Sequence, residues 1–155
     1  MTKTNTMIYL DENNIEYETH SYVDSGAVRG NEVAAAIGKD AERLFKTLVM
    51  QGTSGEVYVF LIPAVDKLAQ RNTAKYLGEK ALNMVNSREL EPLTGYTHGG
   101  CSPLAMKGTF RTLIDASAAK LDTILINGGK IGYLVELTLD ELSKVLDFEL
   151  VELKK

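Results

Sequence analysis

The sequence predicts an α+β domain with a mixed β-sheet and flanking helices. Segments with the composition of strands come in hairpin pairs, and helical segments fall between them in irregular order rather than in strict β–α alternation. The length of 155 residues and the 45% content of hydrophobic residues suit one domain with one core. Because no repeat, low-complexity tract or linker interrupts the chain, residues 1–155 are expected to form a single domain.

The N-terminal part predicts two helices and one strand. Residues 7–13 form a weak amphipathic helical pattern, and residues 15–22 alternate as a strand does. An alanine-rich helix is predicted over residues 32–37, with Asn31 as its N-cap and Gly38 as its C-terminal stop.

Residues 45–51 and 56–62 predict an antiparallel hairpin, because both are β-branched or aromatic runs and four turn-forming residues, 52–55, separate them. A helix over residues 67–77 follows, with Asp66 as a plausible N-cap. Positive residues recur on one face of this predicted helix: Lys67, Arg71 and Lys75. This stripe is a tentative contact for an RNA backbone, and a solvated helix face is the alternative.

The C-terminal half predicts two capped helices and several short strands. Asn86 begins a capping box for a helix that ends near Gly95, and Thr138 begins another for a helix to about Leu146. The strand candidates are residues 111–115, 123–127, 131–137 and 147–153, the second and third of which are joined by a tight turn at Gly128 and Gly129.

The composition excludes several classes of protein. The formal charge of −4 argues against a protein that grips nucleic acid by charge alone. Cys101 is the only cysteine, which excludes intramolecular disulfides and fits a reducing, cytoplasmic setting. Neither a signal peptide nor a membrane span is expected. His20 and His98 lack the spacing of metal ligands, so no metal or cofactor is expected.

The segment 95–107 is the most unusual stretch, because two adjacent glycines precede a Cys-Ser-Pro sequence and no periodic apolar pattern accounts for them. Consecutive glycines allow positive φ angles and let a ligand approach backbone N–H groups, which can converge on an oxyanion. A simple turn between a helix and a strand is the alternative, and it is the commoner use of a Gly-Gly pair.

Several motifs together resemble the YbaK/EbsC-type aminoacyl-tRNA deacylases, relatives of the editing domain of bacterial prolyl-tRNA synthetases. The matching residues span nearly the whole chain: FKTLV at 45–49, LG at 77–78, LTGY at 93–96, GGCSP at 99–103, Lys107, Asp115, GGK at 128–130 and Gly132.

The resemblance implies hydrolysis of the ester that joins a mischarged amino acid to the terminal adenosine of a tRNA, most plainly cysteinyl-tRNA(Pro). It implies a barrel-like mixed sheet and a metal-free pocket between the loop that contains residues 99–103 and the strand that contains Lys46. It also implies attack by the substrate's own thiol. Hydrolase and lyase are both reaction classes that this chemistry suggests. Aminoacyl-tRNA is the implied partner, with prolyl-tRNA synthetase as a possible second one. A non-catalytic aminoacyl-tRNA-binding module and a Cys101-dependent hydrolase of small esters remain as alternatives.

Lys46 is the most informative catalytic candidate, because a charge is costly in an otherwise apolar strand unless it is paired, at an edge or facing a wet pocket. Its ammonium could hold the terminal ribose or phosphate and steady negative charge on the ester. The alternative is a snorkelling lysine of an edge strand. The other catalytic candidates are the N–H groups of Gly100, Cys101 and Ser102. The Cys101 side chain is expected to form a pocket wall, since a lone cysteine is more often a small buried hydrophobe than a nucleophile.

The resemblance also suggests residues that bind the substrate: Tyr22, Phe45, Gly99, Pro103, Asn127 and Gly128. His20 is expected to be a hydrogen-bonded structural residue, and Asp115 either orients the glycine loop or caps residues 117–120. The sequence departs from cysteine-clearing members at Asn127 and Leu134, where they carry Ser and Asp. Ala105 stands where the family usually has Gly.

Overall fold

The computed structural model describes residues 3–155, which contain five α-helices and eight strands in two sheets. The strands are β1 (Glu18–Ser21), β2 (Phe45–Gly52), β3 (Val57–Pro63), β4 (Leu82–Met84), β5 (Arg111–Asp115), β6 (Ile124–Asn127), β7 (Tyr133–Leu137) and β8 (Glu149–Val151). The α-helices are α1 (Asn5–Glu12), α2 (Gly30–Ala36), α3 (Gln70–Leu77), α4 (Ser87–Thr94) and α5 (Leu139–Ser143), and 3-10 helices span Ala41–Arg43 and Ala116–Lys120.

The larger sheet is mixed and has the strand order β4-β2-β3-β5-β8. β2 and β3 form the predicted antiparallel hairpin, whereas β3, β5 and β8 run parallel to one another. The smaller sheet, in the order β1-β7-β6, is antiparallel. An isolated parallel bridge from Leu44 to Leu125 links the two sheets. The α+β class is therefore confirmed, but the described strands form no closed barrel, and the barrel-like arrangement is not confirmed.

Strand β2 contributes alternate side chains to different parts of the core. Phe45 packs in the cluster that joins the two sheets and α1, and Val49 packs beneath α4 and the glycine loop. Leu48 and Met50 belong to the cluster under α3. This alternation follows from the period-two geometry of a strand, and it gives β2 two different faces.

Helix α3 begins three residues later than the sequence predicts. Asp66 is not its N-cap, because the N-cap is Ala69 and the helix starts at Gln70. The backbone of the preceding segment pairs instead with the C-terminal segment: the Ala69 N–H donates to the Leu153 carbonyl at 2.6 Å, and the Lys155 N–H donates to the Lys67 carbonyl at 2.9 Å. A long-range bridge thus replaces the first helical turn.

Other helix ends follow the sequence more closely. The Asn86 side chain accepts from the Arg88 N–H at 2.9 Å, and the Thr138 side chain accepts from the Glu141 N–H at 3.1 Å, so both predicted N-caps are confirmed. Asn31 lies inside α2, whose N-cap is Arg29, so the prediction of its capping role is wrong. Among the helices of residues 3–155, none is long and apolar enough to cross a membrane.

Candidate active site

A cavity of about 540 Å³ lies between β2 and the glycine loop, residues 95–107. We call it the loop cavity. Several of the predicted site residues line it: Tyr22, Phe45, Lys46, Gly99, Cys101 and Asn127. Among the other predicted site residues, Gly100, Ser102, Pro103 and Gly128 are buried and do not line the cavity. The sequence therefore brings the lysine strand and the glycine loop to the same cavity.

The glycine loop is held against the turn between β6 and β7. A Cβ atom on Gly100 would lie 3.2 Å from the Lys130 Cα and from the Ile131 backbone nitrogen, so a side chain here would require the two backbones to separate by a few tenths of an ångström. The Asn127 side chain donates to the Gly99 carbonyl at 2.9 Å and accepts from the Gly129 N–H at 2.7 Å. Asn127 thus ties the loop to the turn through both ends of its amide.

The backbone donors of the loop are not all available. The Gly100 N–H donates to the Thr97 carbonyl at 3.0 Å, so the prediction that it faces a substrate is wrong. Within residues 3–155, the N–H groups of Cys101 and Ser102 have no hydrogen-bond partner. Ser102 is fully buried outside the lining, whereas Cys101 lines the loop cavity, so of these two donors only the Cys101 N–H belongs to a lining residue.

The Cys101 side chain is a poor nucleophile in this setting. Its exposed fraction is 7%, and burial raises the pKa of the thiol to about 11, against a small opposing effect of Thr94. Among the described residues, the Sγ atom contacts the Ser102 carbonyl at 3.9 Å and forms no hydrogen bond with a histidine. At neutral pH the group is a thiol, which suits a cavity wall.

Lys46 lies on β2 and lines both the loop cavity and a second cavity described below. The strand register places Lys46, Leu48 and Met50 on the α3 face, while Thr47 lies with Phe45 and Val49 on the opposite face. Lys46 nevertheless lines the loop cavity, so it contributes at the rim. Burial lowers the pKa of its ammonium, Asp66 opposes that change and Lys67 adds to it, and within residues 3–155 Lys46 forms no salt bridge.

The two departures at positions 127 and 134 are neighbours in the cavity wall. Asn127 and Leu134 are direct cross-strand partners of β6 and β7, and both line the loop cavity. Leu134 has an exposed fraction of only 3% and packs in an apolar cluster with which Tyr22 is also in contact. This wall is therefore apolar where the resemblance would place a carboxylate.

His20 and Asp115 have structural roles. A His20 ring nitrogen is hydrogen-bonded to the Glu136 carboxylate at 2.7 Å, which confirms the expectation for His20. Asp115 accepts from the N–H groups of Ser117, Leu153 and Lys154 at 3.1, 2.8 and 3.2 Å. Burial alone would raise the pKa of Asp115, but these donors together lower it. Asp115 therefore caps the following 3-10 helix and anchors the C-terminal segment; it does not bond to the glycine loop.

The positive residues around α3 are rearranged relative to the prediction. Lys67 precedes the helix, so the set does not form a helical stripe. Lys67 and Arg71 line a second cavity, of about 960 Å³, whereas Lys75 does not. We call this second cavity the basic groove. Its cationic lining residues are Lys46, Lys67, Arg71, Lys154 and Lys155.

Sequence reasoning missed some residues of the loop cavity. His98 is exposed and lines it, and it belongs to the glycine loop. Thr47 lines it too, with its hydroxyl oxygen buried and without a hydrogen bond among the described residues. Thr47 lies inside the FKTLV motif, which could have identified it. Met84 and Ser87 come from β4 and the start of α4; β4 has only three residues, too few for a periodic signal.

Comparison with known proteins gives the site a context. A protein of Enterococcus faecalis named "Putative Cys-tRNA(Pro)/Cys-tRNA(Cys) deacylase EbsC" is 31% identical over 152 residues, which cover 97% of this chain and 93% of that protein. Its name describes removal of an acyl group, which supports the hydrolase class; the lyase class finds no support and is withdrawn.

Solved structures share the fold at lower identity. A structure titled "Crystal structure of a putative trans-editing enzyme for prolyl tRNA synthetase" matches with a TM-score of 0.86 and 20% identity, covering 99% of each chain. A hypothetical protein matches with a TM-score of 0.84 and 20% identity, over 96% of this chain and 97% of the other. The family model described as "Aminoacyl-tRNA editing domain" matches residues 25–145. This chain is a member of the aminoacyl-tRNA editing domain family.

Proposed function

We propose that this protein is a trans-editing aminoacyl-tRNA deacylase, with cysteinyl-tRNA(Pro) as its substrate. The observation that carries the proposal is the loop cavity, which in a chain of the editing family is lined by a lysine, by Cys101, whose N–H has no partner among the described residues, and by an apolar wall. Its volume of about 540 Å³ suits a terminal nucleoside with a small amino acid. The chemistry needs no metal, and residues 1–155 act as one editing domain.

The proposed first step uses the thiol of the substrate. The cysteinyl sulfur attacks its own ester carbonyl, a carbon–sulfur bond forms, and the carbon–oxygen bond to the ribose breaks. The proton of the thiol ends on the released ribose hydroxyl, so the products are a four-membered thiolactone and uncharged tRNA. Water then opens the thiolactone to free cysteine.

The protein supplies position and charge stabilisation in this scheme. The Cys101 N–H donates to the oxyanion that develops on the ester carbonyl, which is the use expected of a preorganised backbone donor. The Lys46 ammonium at the rim holds the terminal ribose or its phosphate. Asn127 is a positioning residue, since it fixes the Gly99 carbonyl and hence the loop that carries Cys101.

A second candidate is a module of the same fold that binds aminoacyl-tRNA without turnover. The observation in its favour is Leu134, because an apolar side chain beside Asn127 offers no charge to the substrate's α-ammonium. Hydrolysis of small esters by Cys101 is disfavoured, since burial keeps the thiol protonated. Prolyl-tRNA synthetase remains a proposed partner that would deliver the mischarged tRNA.

The test follows ester cleavage on tRNA(Pro) charged with cysteine, serine, alanine or proline. We expect turnover of the cysteinyl ester and, on the seryl ester, a rate at least about a hundredfold lower, because a hydroxyl is a much weaker internal nucleophile than a thiol. Equal rates on cysteinyl and seryl esters would contradict thiol assistance. Binding without cleavage of any ester would identify the non-catalytic module.

A further inference from the structure

The basic groove concentrates positive charge in a protein whose formal charge is −4. None of the described residues that line it is acidic, and its lining also includes the apolar residues Leu48, Met50, Leu68 and Met84. Among the described residues, Lys154 forms an ion pair with Asp66, whose carboxylate oxygen lies 3.7 Å from the Lys154 ammonium. A lining with five cations and no acidic residue among the described residues makes the groove positive.

The groove is built by long-range contacts. Leu68 and Lys154 form an antiparallel bridge, and flanking backbone hydrogen bonds join Lys67 to Lys155 and Ala69 to Leu153. Asp115 fixes the same segment from below through the N–H groups of Leu153 and Lys154. These contacts hold Lys67 and the two C-terminal lysines together, although they are far apart in sequence.

The groove is continuous with the candidate active site along β2. Lys46, Leu48 and Met84 line both the loop cavity and the basic groove. A polyanion that leaves the loop cavity past Lys46 therefore enters the groove directly. Accessible apolar side chains beside cations, here Leu48 and Met84, suit an unpaired nucleic acid, whose bases can pack on them while its phosphates contact the cations.

We propose that the basic groove binds the single-stranded 3′ end of tRNA, with the phosphates before the terminal nucleotide on Lys67, Arg71, Lys154 and Lys155. This assignment rests on the proposed function, since it places the terminal aminoacyl-adenosine in the loop cavity. It gives a role to two lysines, Lys154 and Lys155, that the helical pattern did not include, and it removes Lys75 from the RNA contact.

The test uses the variant Lys67→Ala/Arg71→Ala/Lys154→Ala/Lys155→Ala and its charge-preserving counterpart with Lys154→Arg and Lys155→Arg alone. We expect the alanine variant to raise KM for cysteinyl-tRNA(Pro) by at least about tenfold with little change in kcat. The salt slope should fall by about 0.7 for each phosphate that the protein no longer neutralises. The arginine variant should keep the KM of the wild type. Lys120→Ala, which removes an exposed lysine outside the groove, is the matched control.

Binding of a short single-stranded RNA that ends in CCA separates this proposal from the proposed function. One outcome is that the wild type binds the RNA, the alanine variant does not bind it, and neither protein cleaves any ester. That outcome would support RNA binding by the groove and contradict the proposed deacylase activity. An unchanged KM and RNA affinity in a folded alanine variant would overturn the groove proposal, with folding checked by thermal melting. A loss of RNA affinity in Lys75→Ala as large as in Arg71→Ala would overturn it too, since of these two residues Arg71 lines the groove and Lys75 does not.

Discussion

The loop cavity and the basic groove share a wall of β2 but differ in how their chemistry is supplied. The loop cavity depends on backbone geometry, since its free N–H, its glycines and the Asn127 amide are arranged by contacts between two turns. The groove depends on side-chain charge, carried by exposed residues that a long-range bridge brings together. Substitutions should therefore separate the two: changes in the cavity alter kcat, and changes in the groove alter KM and salt dependence.

Lys46→Ala should have the largest effect, because Lys46 lines both cavities. We expect kcat/KM on cysteinyl-tRNA(Pro) to fall by about a hundredfold or more, because the variant loses both the contact with the terminal ribose or phosphate and a positive charge near the ester. Both kcat and KM should change. A loss confined to KM would assign Lys46 to the groove alone and would contradict its role in the loop cavity.

Asp115→Ala should destabilise the protein and disturb only the groove. Three backbone N–H groups would lose a buried acceptor, which we expect to cost about 2–3 kcal/mol in the free energy of unfolding. Because folding lowers the pKa of Asp115, its contribution is present above its usual pKa, about 4, and disappears as the pH falls further.

Denaturant titration from pH 7 to pH 3 would measure this contribution of Asp115. The difference in unfolding free energy between wild type and variant should shrink at the acidic end. In the folded fraction, KM for tRNA should rise while kcat is kept. A difference that stayed constant with pH would show that the carboxylate charge is not what anchors the C-terminal segment.

Asn127→Ala should affect the loop cavity and leave the basic groove unchanged. The Gly99 carbonyl and the Gly129 N–H would lose their shared partner, so the loop that carries the Cys101 N–H would become less well positioned. We expect kcat to fall by about tenfold, less than the loss expected for removal of the donor itself, while the salt slope of KM stays that of the wild type. A changed salt slope would show that the loop and the groove are coupled.

Cys101→Ser should keep at least about a tenth of the activity, because a wall residue is replaced by one of similar size and the backbone donor remains. Loss of about a thousandfold would instead identify a nucleophile. Alkylation by iodoacetamide gives an independent measurement. Its rate should rise with pH toward the thiol pKa of about 11 rather than level off near neutrality.

Ala105→Gly should have the smallest effect. Ala105 has a φ angle of +58°, in the left-handed region where a side chain is strained. Glycine at this position should stabilise the protein by about 0.5–1 kcal/mol and raise Tm by about 2–4 °C. Tm and kcat measured side by side would test it, and a lower Tm would mean that the Ala105 methyl group contributes packing.

Local patterns in the sequence predicted the hairpin and the helices capped by Asn86 and Thr138, and the family resemblance implied that Lys46 and the glycine loop share a cavity. The rest depends on contacts between distant segments, which no local pattern encodes. Lys67 falls in a run with helical spacing, yet its backbone pairs with the C-terminal segment. One error is local: consecutive glycines permit many loop conformations, and here the Gly100 N–H donates to the Thr97 carbonyl three residues earlier. The membership of Lys154 and Lys155 in the groove follows from the same long-range pairing.

The alternation of side chains along β2 limits how this site can change in evolution. Inserting or deleting a single residue between Lys46 and the hairpin turn would shift the pairing of Lys46 with β3 by one position, which moves its side chain from the α3 face to the opposite face of β2. Length variation is consequently tolerable at the exposed tip of the hairpin, residues 53–56, but not along the ladder. We expect functional natural variants and functional library members to differ in length at residues 53–56 and not within the paired residues of β2 and β3.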